Sequence, residues 1–298
     1  MLAFSIIVCT YNRAAFLRDT LRSILHHLGD ELTYELMVVD NNSKDQTAAV
    51  VREFADDPHI RYVLETRQGL SHARNRGIQE AKYPIIVFLD DDIELHPRYG
   101  AVLTELYSNP EVYIAGGKVL PYQTQIPDWL PKEFHYLTST LDFGDAPAIV
   151  NKLLGANHSF RKEVAERVGD YNAEIGPIGD FKLGGDENEF LLRAQGLGYR
   201  IHYHPELIVY HKVDNRMNKA FILQYAYNIG ASEANIDYTN QKGKMALKCL
   251  KYLANGWLNG GGEADGKAES VGKVIRREHN RGYLTFIRRR LSGEAGGK

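Results

Sequence analysis

Short apolar runs alternate with amphipathic stretches along the first hundred residues. The runs are Phe4 to Cys9, Glu35 to Val39, Ile60 to Leu64 and Ile85 to Leu89, rich in Val, Ile and Phe. Runs of that length and composition suit strands covered on both faces. The periodic stretches between them, Ala14 to Leu28, Asp45 to Ala55 and Ser71 to Ala81, predict helices. The alternation predicts an α/β fold with a mainly parallel, Rossmann-like sheet flanked by helices. Polar residues collect where strands end: Thr10-Tyr11-Asn12-Arg13, Asp40-Asn41-Asn42-Ser43 and Asp90-Asp91-Asp92. Another group, His72, Arg74, Asn75 and Arg76, opens the third helix. Ligands of open α/β sheets bind outside the carboxyl ends of the strands, so these clusters predict one site on one sheet edge.

The triplet carries the most specific chemistry. Three adjacent carboxylates after a fully apolar strand repel one another and lose solvation, which predicts a cation among them. If the extended backbone continues, Asp90 and Asp92 share a face roughly 6 to 7 Å apart, with Asp91 pointing away. Hard oxygen ligands favour Mn²⁺ or Mg²⁺, which share phosphate oxygens with a substrate. A solvated acidic turn accounts for an isolated triplet equally well; the preceding strand and the helix start near Pro97 favour the cation.

Four ordered segments carry a family resemblance: Ser5 to Arg13, Val38 to Ser43, Gly69 to Ile78 and Phe88 to Asp92. Together they resemble glycosyltransferase family 2 with its GT-A fold, over residues 4 to about 235. The resemblance implies a nucleotide-sugar donor, a divalent metal and inversion at the anomeric carbon. By it, Thr10, Tyr11, Asn12 and Arg13 line the nucleoside pocket, and Asp40 with Asn41 meets the base. Arg74 lies against the base or diphosphate, Asp90 and Asp91 approach the ribose, and Asp92 with Asp90 holds the metal. These residue types fit the roles, since a carboxylate accepts an imide N–H and a guanidinium matches phosphate geometry. Asp40 and Asn41 also fit an Asx turn, and Arg74 a surface ion pair.

The second half adds Gly184-Gly185-Asp186-Glu187-Asn188-Glu189-Phe190-Leu191-Leu192-Arg193. It is similar to the family's Gly-Glu-Asp-x-Glu-Leu-x-x-Arg motif, which opens a helix under the acceptor site. Aligned on Gly185, Phe190 and Arg193, the acidic pair is reversed, so the general base is Glu187 or Asp186, with the alignment favouring Glu187. Carboxylates at a helix N-terminus are favourable without any catalytic role. Gly155 to Arg161 resembles the segment bordering donor sugar and acceptor, which brings Asn157 and, more weakly, His158 into the donor set. His211 ends the run Leu207 to Tyr210; the resemblance makes it a metal ligand, and a structural strand-end His is the alternative. His202 and His204 share a strand face and read as packing or surface residues. The Pro- and aromatic-rich residues 118–150 predict an irregular segment over the site mouth.

Charge divides the chain. Its 298 residues carry a net -2, yet residues 242–298 hold 13 Lys+Arg against 5 Asp+Glu, leaving -10 on residues 1–241. Residues 1–235 are expected to form the catalytic domain and 236–298 a helical basic extension with a Gly-rich linker near 256–266. In the segment Lys244 to Leu258, Ala246, Cys249, Leu250, Leu253 and Trp257 fall on one face and Lys244, Lys248 and Lys251 opposite. A basic amphipathic helix of this kind predicts an anionic membrane surface as partner for residues 242–298. A helix packed on the catalytic domain is the alternative. The glycines at 261–266 nearly spell a P-loop, but Ala268 stands where Ser or Thr should hold Mg²⁺. With two cysteines, no membrane-length apolar run and no leader-like N-terminus, the expected location is cytoplasmic, peripheral on the inner face of the membrane. The expected partners are a nucleotide-sugar and a saccharide or lipid-linked acceptor in polysaccharide or glycoconjugate biosynthesis, with no nucleic acid. A silent sugar-nucleotide binding protein and a sugar nucleotidyltransferase are the competing readings; the latter lacks its basic Gly-rich loop here.

Overall fold

The computed structural model describes residues 2–28, 32–176, 184–259 and 270–292, with 255–259 described by their helical backbone only. The near-continuous apolar runs become β1 (Phe4–Thr10), β2 (Tyr34–Asp40), β3 (Ile60–Leu64) and β4 (Ile85–Leu89). β1, β2 and β4 are buried along almost their whole length, as both-face coverage requires. Helices α1 (Ala14–Leu28), α2 (Thr47–Arg52) and α3 (Leu70–Glu80) connect them. α2 is shorter than the predicted 45–55 because Asp45 is drawn into capping: its carboxylate accepts from Thr47 N at 3.0 Å and from Ala14 N at 3.0 Å.

The sheet continues through β5 (Ile93–Leu95), β6 (Ile114–Pro121), β7 (Ala148–Val150), β8 (Asn157–Arg161) and β9 (Ile201–His211). Its order is β3-β2-β1-β4-β8-β6-β9-β5, with β7 on β9. Pairing is parallel from β3 through β4, as the opening hundred residues predict, and mixed beyond. Strand order reverses between β1 and β4, so the crevice at the carboxyl ends opens between Thr10 and Asp90. Three further helices, α4 (Tyr99–Ser108), α5 (Lys162–Val168) and α6 (Asp186–Gly196), complete this layer.

The chain divides into two compact units. The first takes residues 1–124, 139–180 and 186–214, and the second takes 125–138, 181–185 and 215–298. In the second, α7 (Lys219–Asn240) runs unbroken through residue 235, where the sequence pattern places the end of the catalytic domain. Asn218 caps it, its side chain accepting from Phe221 N at 2.9 Å. α7 packs closely on α9 (Val271–Leu291) because Gly282 carries no side chain: a Cβ there would lie 1.9 Å from the Tyr227 carbonyl oxygen. The 3-10 segment Lys132–Thr138 joins this unit, with Leu130, Phe134 and Leu137 clustered against Ile222, Ala226 and Ile275. Helix formation at 132–138 corrects the expectation of a wholly irregular 118–150 segment; its Pro- and aromatic-rich centre is core of the second unit.

Helix α8 (Lys242–Asn259) also corrects its predicted faces. Met245, Cys249 and Tyr252 pack inward beside Ala234, Tyr283 and Ile287. Lys248 turns in as well, its ammonium 2.5 Å from Asp237 Oδ2 and paired with Glu233. Leu250 and Leu253, predicted to share one face with Cys249, are exposed while Cys249 packs inward. Residues 260–266 of the predicted linker, and the near P-loop at 261–268, lie outside the described residues, as does the side chain of Trp257.

Candidate active site

Backbone beyond β4 does not stay extended: Asp91 and Asp92 form a turn leading into β5. The turn nevertheless separates the carboxylates as the triplet pattern predicts, with Asp90 and Asp92 together and Asp91 apart. Pairing of Ile93 with His211 in the β5–β9 ladder brings the end of β9 alongside, and Lys212 N donates to the Asp92 carbonyl at 2.9 Å. One oxygen each of Asp90 and Asp92 and one nitrogen of His211 lie within 4.8 Å of one another. His211 Nδ1 lies 3.0 Å from the Ser139 carbonyl, which only accepts, so Nδ1 carries the proton. Nε2 lies 2.9 Å from Asp92 Oδ1, a hydrogen-bond contact, and 3.9 Å from Asp90 Oδ2. Two carboxylates and an imidazole converging on one point are a donor set that suits a divalent ion once Nε2 gives up its proton.

Asp91 turns the other way. It accepts from Thr10 Oγ1 at 2.7 Å and pairs with Arg13 Nε at 2.8 Å, while Arg13 Nη2 donates to Asp92. Burial pushes the Asp91 carboxyl up, Arg13 pulls it down and Asp92 raises it again. For Arg13, burial opposes the charge, but Asp91 and Asp92 outweigh it and raise its pKa. Thr10 and Arg13 therefore shape the acidic turn directly. Asn12, with φ 53°, ties the same loop to its neighbour: its side chain accepts from Lys44 N at 2.7 Å and its N–H donates to Ser43 Oγ at 2.9 Å. Tyr11 is half-buried at the head of that loop.

Asp40 is buried at the end of β2, and both its oxygens are engaged, Oδ1 by Ser43 N at 2.8 Å and Oδ2 by the Tyr62 hydroxyl at 2.7 Å. Each oxygen retains a second acceptor site. Asn41 is engaged within the fold. Its amide donates to the Glu65 and Arg67 carbonyls and accepts from Gly69 N at 2.8 Å, so it fastens the loop into α3. Asn157, at 1% exposure, accepts from Tyr99 OH at 2.9 Å and donates to the Lys118 and Leu207 carbonyls, which ties β8 into the sheet.

Arg74, from α3, is 3% exposed and forms an ion pair with Asp186 at the start of α6, a buried pair where the sequence alternative was a surface one. Glu187 Oε2 lies 3.8 Å from the same Arg74 nitrogen and its side chain keeps 13% exposure. Ser71 Oγ reaches Asp186 Oδ2 at 3.3 Å. Burial lowers the Arg74 pKa, but Asp186, Tyr171 and Glu187 outweigh it and hold the guanidinium charged. Its cation lies 5.4 Å from the Tyr171 ring centroid and 5.8 Å from Phe88. Gly155 leaves room for it, since a Cβ there would come within 2.5 Å of Arg74 Nη2. Burial, reinforced by Asp186, raises the Glu187 carboxyl well above the usual carboxylate range despite Arg74.

Behind the pair, His158 Nε2 accepts from Tyr171 OH at 2.8 Å and Nδ1 donates to Gly155 O at 3.0 Å. Burial, helped by Arg74, takes its pKa down to about 3, so the ring is neutral. Burial likewise pushes the Cys9 thiol up to about 12, which removes it as a nucleophile. Tyr62 is not marked out by the sequence, where it sits in a strand pattern; its hydroxyl on Asp40 reveals it. Tyr171 lies in the segment Val168 to Tyr171, which resembles the family's stretch beside donor sugar and acceptor, and it packs against Arg74. His202 and His204 lie half-buried along β9, as predicted.

Residues 5–169 match the family described as Glycosyl transferase family 2, more than half of the chain. Glucosyl-dolichyl phosphate glucuronosyltransferase of Haloferax volcanii is 27% identical over 217 residues, covering 70% of this chain and 69% of that protein. GalNAc(5)-diNAcBac-PP-undecaprenol beta-1,3-glucosyltransferase of Campylobacter jejuni is 38% identical over 94 residues, 30% of each chain. Among solved structures, the mannosyltransferase of Pyrobaculum calidifontis in complex with GDP-Man and Mn²⁺ shares the fold at a TM-score of 0.59 and 20% identity. That superposition covers 99% of this chain and 76% of the other. With the motifs, the sheet order and these relatives in agreement, the chain belongs to glycosyltransferase family 2 and is a glycosyltransferase.

Proposed function

We propose that this enzyme moves a sugar from a UDP-sugar to a hydroxyl of a saccharide or lipid-linked acceptor by one in-line displacement that inverts the anomeric carbon. The observation that carries the mechanism is the asymmetry of the acidic pair. Asp186, 1% exposed, is engaged by Arg74, whereas Glu187 keeps solvent access and a raised pKa. A raised carboxyl suits a general base, because its conjugate form takes a hydroxyl proton with less mismatch. Glu187 accepts that proton, and Asp186 positions it through α6. Thr10, Tyr11, Asn12 and Arg13 border the nucleoside, Asp40 accepts from the base beside Tyr62, and Asp90 faces the ribose. Asp90, Asp92 and His211 would hold Mn²⁺ or Mg²⁺, which would supply positive charge beside the diphosphate leaving group. The Mn²⁺ complex of the Pyrobaculum enzyme supports the metal, and the dolichyl and undecaprenol names support a lipid-linked acceptor.

Transfer by Glu187→Gln and Asp186→Asn, measured separately with donor binding by calorimetry, tests the assignment. Glu187→Gln is expected to lose about 10² to 10⁴ in kcat with donor affinity retained. In the wild type the acid limb of kcat lies above the usual carboxylate range, since the base works only when ionised. Near-normal turnover by Glu187→Gln moves the base elsewhere.

A further inference from the structure

The outward face of α8 is apolar in a way that its place in the second unit does not explain. Leu247, Leu250 and Leu253 are 70%, 67% and 58% exposed, and Ala246 and Ala254 are exposed beside them. At about 100° per residue these five positions form one continuous arc of roughly 120°. Exposed lysines border it on both sides, Lys244 and Lys251 along one edge and Lys242 along the other. The helix contains no acidic residue. Its remaining lysine, Lys248, is turned inward onto Glu233 and Asp237, so the inner face is held by paired charges and the outer face is free to meet something else.

We infer that this face docks on an anionic lipid bilayer, with the leucines entering the headgroup–acyl boundary and the three lysines reaching phosphate groups. Charge selects this occupant. A second copy seated on the same face would bring lysine borders against lysine borders, a like-charge arrangement that costs affinity. An anionic surface is complementary to the borders, and lysine stems lie along apolar surface while their ammonium groups reach outward. The +8 balance of residues 242–298 adds long-range attraction of the same sign. Among the described residues no helix is long and apolar enough to cross a membrane, so the arrangement is one of lying on the bilayer.

Flotation of the full chain with vesicles of phosphatidylcholine, alone or mixed with phosphatidylglycerol, tests the inference. Binding is expected with the anionic mixture and to weaken as salt rises. Leu247→Gln/Leu250→Gln/Leu253→Gln is expected to lose roughly 100-fold or more in partitioning. Lys242→Gln/Lys244→Gln/Lys251→Gln should weaken binding to the anionic vesicles and reduce its salt dependence while leaving melting and donor hydrolysis unchanged. Absence of vesicle binding, equal binding to neutral and anionic vesicles, or retention of binding by the triple leucine variant would each overturn it. So would self-association by sedimentation velocity that the leucine variant abolishes while vesicle binding stays absent. Flotation reads no turnover, so its failure leaves the Glu187 assignment standing, and failure of that assignment leaves this face unaffected.

Discussion

Replacing Arg74 by Met separates a positioning role from donor contact. The methionine keeps apolar bulk near Phe88 and Tyr171 but removes the cation that meets both rings and Asp186. Both members of the pair are almost wholly buried, at 3% and 1%, so solvent screening gives no relief. Without Arg74, Asp186 Oδ2 keeps Ser71 Oγ at 3.3 Å but no cation within reach among the described residues. Removing one partner of a buried pair costs about 3 to 5 kcal/mol, because the other charge is left uncompensated. Equilibrium unfolding in urea should show that loss with little change in slope. Arg74→Met/Asp186→Leu, which removes both charges, should recover most of it. Arg74 also draws the Glu187 pKa down, so the single variant should move the acid limb of kcat to higher pH. A stability loss below about 1 kcal/mol, or a double variant no more stable than the single one, refutes the buried-pair argument. Loss of donor affinity with stability intact would make Arg74 a donor ligand instead.

His158 makes stability sensitive to acid. Its folded pKa of about 3 lies below the ordinary histidine value of 6.5, so the unfolded chain binds the extra proton and stability falls as pH drops through that window. By pH 5 the loss from this group reaches about 2 kcal/mol. Glu187 works in the opposite sense: with its folded pKa raised, the native state binds the extra proton and stability falls as pH rises above its ordinary value. His158→Gln should flatten the decline between pH 6.5 and 5 by about one proton, read from denaturation midpoints; an unchanged slope rejects the assignment. At the metal corner, His211→Ala should weaken Mn²⁺ binding by about 10-fold or more in calorimetry of the donor-free protein. Unaltered affinity in that titration would leave His211 a structural strand-end residue.

Most of the first hundred residues were legible because fully covered strands must be apolar along their length; β3, at the sheet edge, leaves Tyr62 and Leu64 exposed against that expectation. Ile85 to Leu89 reads as a strand and becomes β4 at the same bounds. Strand ends were legible for the same reason, since Thr10, Asp40 and Asp90 interrupt runs that have no other cause to stop. His211 was reachable from its place after Leu207 to Tyr210, although its meeting with Asp92 depends on the β5–β9 ladder, a long-range pairing. The structural work of Asn41 and Asn157 was not legible, because an amide that fastens backbone carbonyls has the same sequence appearance as one that meets a ligand. Only the fold supplies the carbonyls of Glu65, Arg67, Lys118 and Leu207 that occupy them.

Helix α8 shows where periodicity stops being informative. Spacing divides a helix into faces but does not say which face is covered, and lysine stems are apolar enough to serve on either. The deciding partners, Glu233 and Asp237, lie one helix upstream on α7, and they draw Lys248 inward against the simple polar-out rule. Once Lys248 is fixed, helical geometry brings Met245, Cys249 and Tyr252 inward with it and leaves Leu247, Leu250 and Leu253 outside. A half-buried ion pair on one face thus favours an exposed apolar stripe on the other. Turning the stripe inward would take Lys248 away from Asp237, a carboxylate only 4% exposed, and leave it without its cation.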